Sequence, residues 1–297
     1  MINPKRLVNT FLDLVKIDSP SGEEKNIAIF VSKKLTDLGG NVISDSYGNL
    51  ITKFPGNGKS FLLSSHLDTV EPGRKIIPKI YGDKVESDGT TILGGDAKAG
   101  IAIILEALQS LVEDKKSHVP LEIVFTLEEE TGLLGATNLD YSQINATKGI
   151  VLDAVGGVEN LILSAPGYTR IDAEITGRGA HSGFEPEKGI SAIKIASVII
   201  SRLNIGRIDA ETTANVGTIR GGSARNAIAE TAYLEAEIRS SNVEKLREQT
   251  QFFEETINNV LLDYPGAKVN LEMITEFEPY KIEKNHPVIH QLIENVH

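Results

Sequence analysis

The sequence predicts an α/β protein in two parts: a mainly parallel sheet flanked by helices, and an inserted ferredoxin-like α+β unit. Three observations predict it. Up to Pro166, apolar runs of strand length alternate with stretches of helical periodicity. Beyond Pro166 the order becomes β-α-β-β-α-β, the split βαβ pattern. With 297 residues, 40% of them hydrophobic, the chain has enough apolar material for two cores.

Leu7, Phe11, Leu14 and Val15 recur at helical spacing and predict an opening amphipathic helix that ends before Asp18-Ser19-Pro20-Ser21. Ser21 and Glu24 form a capping-box pattern ahead of Ile27, Phe30, Val31, Leu35 and Leu38, with Gly39-Gly40 as the stop. Strand-like runs at 50–54 and 61–65, joined by Pro55-Gly56-Asn57-Gly58, predict a hairpin. A helix over 99–111 and strands over 121–127 and 149–152 complete the first part.

The second part reads as strand 169–176, helix 189–203, strands 214–219 and 231–238, helix 243–262 and strand 267–274. Hinges are expected near Ala165-Pro166 and Pro279-Tyr280. Residues 167–279 would form the inserted unit, and a helix over 286–296 would return to the first domain, 1–166 plus 280–297. There is no internal repeat or low-complexity tract.

The 30 Lys and Arg against 41 Asp and Glu leave a net charge of −11, and no basic tract is present. This argues against a nucleic-acid partner, because phosphate binding needs clustered cations. The absence of cysteine excludes disulfides, thiolate metal sites and thiol nucleophiles. No apolar run approaches the ~20 residues of a membrane span. The N-terminus lacks an apolar signal core, so no membrane partner and a cytoplasmic location are expected.

Four motifs could carry chemistry. His66 and Asp68 follow the run 61–65, and residues two apart on a strand point to the same side. Asp96 lies in Gly94-Gly95-Asp96-Ala97-Lys98-Ala99-Gly100, before an apolar helix. Glu128-Glu129-Glu130-Thr131-Gly132 follows the strand ending at Leu127, and Asp153 follows 149–152. Taken singly, these read as a surface pair, a helix cap and a solvated acidic loop. Together, His66, Glu129 or Glu130, and Asp153 fall just past strand carboxyl ends, where open α/β sheets place ligands. One imidazole with several carboxylates suits zinc, manganese or cobalt in a site for more than one ion, with hydrolysis the natural reaction.

These motifs resemble the dizinc metallopeptidase superfamily that includes peptidase T, carboxypeptidase G2, aminoacylase and succinyl-diaminopimelate desuccinylase. The peptidase T-like (tripeptide aminopeptidase) branch matches best, through its Asp-Gly-Thr-Thr-x-Leu-Gly-x-Asp-x-Lys-Ala-Gly segment at 88–100. The resemblance covers essentially the whole chain. It implies two divalent metal ions, zinc first with manganese or cobalt as alternatives, a short peptide substrate, and a homodimer formed through the lid unit.

Residue by residue, the resemblance makes His66 a metal ligand and Asp68 the acid that orients its imidazole. Asp96 becomes the bridging carboxylate, Glu130 a ligand of one ion, and Asp153 the ligand sharing the ion of His66. Glu129 becomes the general base. Glu128 offers a neighbouring register, but Gly132 favours 129 and 130. In the lid, His181 of Gly179-Ala180-His181-Ser182-Gly183 would reach the scissile carbonyl oxygen, and Asn226 and Arg239 would hold the carboxylate end of the substrate.

The family's last metal ligand is a histidine well beyond the lid. His286, His290 and His297 come too early to match it, so the sequence reads as a C-terminally incomplete member. The expected activity is hydrolysis of short peptides. An N-acyl amino acid deacylase or desuccinylase, or an inactive fragment, is the alternative.

Overall fold

The computed structural model describes residues 1–157 and 160–295, the side chain of Asn295 excepted. Its packing divides the chain into two units, Met1–Asn160 and Leu161–His297.

In the first unit, α1 (Pro4–Val15) starts where the Asn3 side chain accepts from the Arg6 amide at 3.2 Å. Pro4 sits in the first turn, where a missing N–H costs nothing. Then come α2 (Lys25–Asp37), β1 (Asn41–Ser44), β2 (Leu50–Phe54), β3 (Phe61–His66), and a small hairpin of β4 (Lys79–Tyr81) and β5 (Lys84–Glu86). The unit continues with α3 (Gly95–Glu113), β6 (Leu121–Thr126), α4 (Leu134–Thr137) and β7 (Gly149–Val151).

The main sheet has the order β1-β2-β6-β3-β7. β3 runs parallel to β6 and β7, while β2 pairs antiparallel with β1 and β6. Every residue of β6 is buried, as expected of a central strand covered on both faces. Ile27, Val31 and Leu35 of α2 and Ile101, Ile104 and Leu108 of α3 pack with Leu50, Ile123 and Phe125 of the sheet.

Two expectations for this unit need correction. Residues 50–54 and 61–66 do not form a hairpin, because β6 lies between them. The turn at 55–58 is tied instead to the segment before β6, through Asn57 N to the His118 carbonyl at 3.0 Å. Ser21 and Glu24 do not form a capping box either. Glu24 is itself the residue before α2 and makes no side-chain cap, while the Ser21 hydroxyl donates to Asp68 Oδ2 at 2.7 Å.

The second unit contains β8 (Ser164–Ala165), β9 (Gly167–Thr176), β10 (Ala180–His181), α5 (Ala192–Arg202), β11 (Gly206–Arg207) and β12 (Thr212–Gly221). It continues with β13 (Ala227–Ile228), β14 (Thr231–Ser240), α6 (Val243–Leu262), β15 (Lys268–Phe277), β16 (Tyr280–Lys281) and α7 (Pro287–Asn295). Ser191 and Asn242 cap α5 and α6 by accepting from the amides of Lys194 and Lys245. The helix expected from 189 therefore begins only after Ser191.

Its five-stranded sheet has the order β11-β12-β14-β9-β15, with every neighbouring pair antiparallel. β9 and β12 thus run the same way with β14 between them, the split βαβ arrangement. β9 alternates buried and half-buried residues along its whole length. Its Ile171, Ala173 and Ile175 join Ile195, Ile199, Phe253 and Ile257 of the two helices in one core.

β8 pairs with β16, and the packing groups residues 161–166 and 280–295 with the second unit. The sequence reading assigns both stretches to the first domain. Val296 and His297 lie outside the described residues. Among the described residues, no helix is long and apolar enough to cross a membrane.

Candidate metal centre

His66 ends β3, and the pairing of its strand with β6 continues through Leu67 N to the Thr126 carbonyl at 2.9 Å. The imidazole is 2% exposed, and its Nδ1 lies 3.2 Å from Asp68 Oδ1. Its other nitrogen, Nε2, faces Asp96 Oδ1 at 3.0 Å, Asp153 Oδ1 at 3.3 Å and Glu129 Oε2 at 3.9 Å.

Asp96 reaches this position because it is not the cap of α3. The residue before the helix is Gly94, at φ +70°, and Asp96 itself is extended at φ −82°, ψ 113°. Gly100 then allows a close approach: a Cβ there would meet the Leu152 carbonyl at 2.2 Å. Its absence lets the start of α3 sit against the end of β7, from which Asp153 follows.

The acidic loop after β6 divides its three carboxylates. Glu128 has a left-handed backbone, φ +46°, and its carboxylate accepts from the Tyr47 hydroxyl. Glu129 and Glu130 remain on the His66 side. Side-chain donor atoms of His66, Glu129 and Asp153, and of His66, Asp96 and Glu130, form two triples within 4.8 Å. The first triple groups Glu129, where the resemblance places Asp96, with His66 and Asp153.

Gathering carboxylates around one buried imidazole is repulsive unless a cation answers them. In the metal-free form the imidazolium is that cation. Burial alone would pull His66 down, but hydrogen bonds to Asp153 and Asp68, with the charge of Asp153, push it up to about 11. Burial likewise opposes the charge on Asp68, yet donors from His66, Ser21 and two backbone amides hold it down at about 2. Asp68 is therefore a firm acceptor that fixes the ring through Nδ1.

Burial pushes Glu129 up to about 7; the His66 charge opposes this, while Asp153 and Glu130 reinforce it. Burial also raises Asp96, helped by its hydrogen bond with Asp153, and Glu130, helped by the charge of Asp96. A nitrogen and several clustered carboxylate oxygens, without sulfur, form a donor set that suits zinc, manganese or cobalt.

In the second unit, His181 pairs with Ala227 across β10 and β13, and Ser182 N donates to the Asn226 carbonyl at 3.0 Å. His181 and Asn226 are thereby neighbours, and both are exposed. The His181 ring lies 4.4 Å from that of Phe184, and its Nδ1 accepts from Gly183 N at 3.1 Å.

Arg239 is not brought to them. It lies near the far end of β14 from Thr231, about 26 Å along the strand at ~3.3 Å per residue. There its guanidinium covers the Tyr168 ring at 4.7 Å and bonds Glu237.

Several supporting residues were not singled out for the site by sequence reasoning: Glu24, Tyr47 and Asn49, and Ser21 in its bond to Asp68. Only the Ser-x-x-Glu pattern at 21–24 marked two of them, and it pointed to a helix cap.

Residues 163–265 match the peptidase dimerisation domain of family M20, and residues 49–195 match peptidase family M28. YqjE of Bacillus subtilis (strain 168) is 42% identical over 285 residues, covering 92% of this chain and 77% of its own. A tripeptidase from Staphylococcus aureus subsp. aureus Mu50 superposes with a TM-score of 0.92 at 37% identity, over 99% of this chain and 81% of that one. The chain belongs to the M20 family of metallopeptidases. Aminopeptidase PepT from Bacillus cereus ATCC 10987 also superposes, with a TM-score of 0.88 and 38% identity over 97% of this chain and 80% of that one. Residues 49–160 of the first unit and the start of the second fall in the M28 match, and most of the second unit falls in the M20 dimerisation-domain match.

Proposed function

We propose that this M20 protein hydrolyses short peptides from the amino end, tripeptides first, with two divalent ions. His66, Asp96 and Asp153 would hold one ion, zinc in the first instance, and Asp96 and Glu130 would contribute to the other. When bound, such ions polarise the scissile carbonyl and acidify water.

Asp68 orients His66 by accepting at Nδ1, and so presents Nε2 to the ion. Glu129, a half-buried carboxylate pushed toward neutral pH, accepts a proton from the attacking water and returns it to the leaving amine. His181 donates to the carbonyl oxygen as charge develops there, and Asn226 and Arg239 take the carboxylate end of the substrate. With His181 on the two-stranded β10–β13 pair and Arg239 near the far end of β14 in the five-stranded sheet, a homodimer through the second unit would let these residues serve different copies of the site.

The observation that carries this reading is the burial of His66 with Nε2 facing Asp96, Asp153 and Glu129 at the parallel strand ends. It stands in a chain 37% identical to a tripeptidase of Staphylococcus aureus and 38% identical to aminopeptidase PepT of Bacillus cereus. The test is amine release from free tripeptides and from N-acyl amino acids, with Glu129→Gln as control. Tripeptide cleavage should dominate, and the variant should lose about 100-fold or more in kcat while still binding zinc. Cleavage of N-acyl amino acids alone would turn the reading into a deacylase, and full turnover in the variant would remove Glu129 from its role.

A further inference from the structure

Four consecutive amides in and before the acidic loop donate to side-chain oxygens, none of which belongs to the loop. Leu127 N donates to Asn49 Oδ1 at 3.1 Å, and Glu128 N to Glu24 Oε1 at 3.0 Å. Glu129 N donates to Asp68 Oδ1 at 2.9 Å, and Glu130 N to Asp68 Oδ2 at 3.1 Å. A chain leaving a strand ordinarily gives such amides to water or to a local turn. Here Asn49, Glu24 and Asp68, all buried, receive them in sequence.

The acceptors are themselves held in place. Asn49 Nδ2 donates to Asp45 Oδ2 and to the Gly135 carbonyl, both at 2.9 Å. Glu24 Oε1 also accepts from Gly22 N at 3.0 Å, so both of its donors reach one oxygen. Asp68 accepts from Ser21 and lies against His66. The loop carrying Glu129 and Glu130 is therefore fastened by residues that precede it by 61 to 104 positions.

We propose that Glu24 and Asn49 are positioning residues for hydrolysis. They hold the backbone at 127 and 128, Asp68 holds it at 129 and 130, and Glu129 is thereby kept beside His66. This rests on Glu129 carrying the proton, as proposed above. A misplacement of about 1 Å in a reacting group can cost roughly 100-fold in rate. The bonding pattern also distinguishes shape from charge at Glu24. Both donors use one oxygen, so the carbonyl of a glutamine offers the same two lone pairs in the same place, whereas alanine offers neither.

The test uses the full zinc-loaded chain with a free tripeptide, comparing Glu24→Ala, Glu24→Gln and Asn49→Ala by amide hydrogen exchange at 127–130, kcat and KM. Glu24→Ala should speed exchange of the Glu128 amide about tenfold or more and lower kcat about 10- to 100-fold, with KM within about twofold. Asn49→Ala should do the same at Leu127, and Glu24→Gln should restore wild-type exchange and kcat.

Faster exchange in Glu24→Ala with unchanged kcat would make Glu24 a stabilising residue only and overturn the proposal. So would unchanged exchange, or damage in Glu24→Gln equal to that in Glu24→Ala. If the alanine variant does not fold, the glutamine variant decides, since loss of its protection at Glu128 contradicts the shared-oxygen geometry. Failure of the functional reading looks different: Glu129→Gln would turn over normally while the exchange pattern at 127–130 stood.

Discussion

Arg6 meets the buried carboxylate of Glu106 through Nε at 2.6 Å and Nη2 at 2.9 Å, fastening α1 to the helix that begins beside Asp96. The Arg6 hydrogen bonds, against the cost of burial, hold the Glu106 carboxyl at about 2. A folded pKa below the unfolded one adds stability above the unfolded value, and that stability is lost as pH falls through the folded one. The pair should therefore stabilise the protein above about pH 4.5 and lose its effect between there and pH 2. Arg6→Ala should cost about 2 kcal/mol at pH 7, allowing for the partial exposure of Arg6, and much less at pH 3. Urea unfolding at the two pH values measures the difference, and an equal cost at both would contradict the ion-pair account.

Zinc uptake should release protons. His66, pushed up to about 11 in the metal-free form, is charged at pH 7, and a metal-bound imidazole nitrogen cannot keep its proton. Glu129, at about 7, is half protonated there. Calorimetric titration in buffers of different ionisation enthalpy should show about one proton or more released per protein. Uptake without release would argue that His66 does not bind the ion.

The shared-carboxylate arrangement predicts that Asp96→Ala loses most zinc binding, because both proposed ion positions draw on that side chain. A variant that takes up zinc as well as the parent would rule it out as the bridge.

Ser21→Ala removes a 2.7 Å donor from the Asp68 carboxylate and leaves the imidazole and two amides in place. The expected cost is about 1 to 2 kcal/mol in folding stability. Zinc affinity should fall less than the 10- to 100-fold drop typical of losing such an outer acid outright, for which Asp68→Ala is the comparison. Equal losses in the two variants would show that the hydroxyl matters as much as the carboxylate.

Phe253, fully buried, sits in the core of the second unit. Phe253→Ala should cost about 3 to 5 kcal/mol, seen as a lower thermal midpoint. Zinc affinity should be unchanged, since every proposed ligand lies in Met1–Asn160. A parallel loss of zinc binding would mean that the two cores are not energetically separate.

Strong local signals were legible in the sequence. The alternation in 169–176 and the helical spacing in 243–262 each led to elements within a few residues of those observed. His66, Asp96, Glu129, Glu130 and Asp153 were legible because each follows a strand end or a glycine turn; Asp96, Glu129 and Asp153 face one nitrogen of His66, and Glu130 groups with His66 and Asp96. The pairing of the 50–54 strand was not, since β6 arrives from some seventy residues downstream and no local turn announces it. Neither were the acceptors Glu24 and Asn49, because a side chain that receives a distant amide leaves no periodic trace. At Ser21 and Glu24 the local rule was satisfied in letters, but long-range partners took both side chains.

The half-buried donor Ser21 and the buried acceptor Glu24 lie before the first residue of α2, in a stretch that domain-trimming or tag-fusion schemes commonly treat as expendable. A shortened protein starting at Lys25 would keep all five proposed metal-site side chains yet lose the upstream half of their scaffold. Its inactivity would say nothing about those five residues, so engineering at the amino end should be judged by the order of residues 127–130.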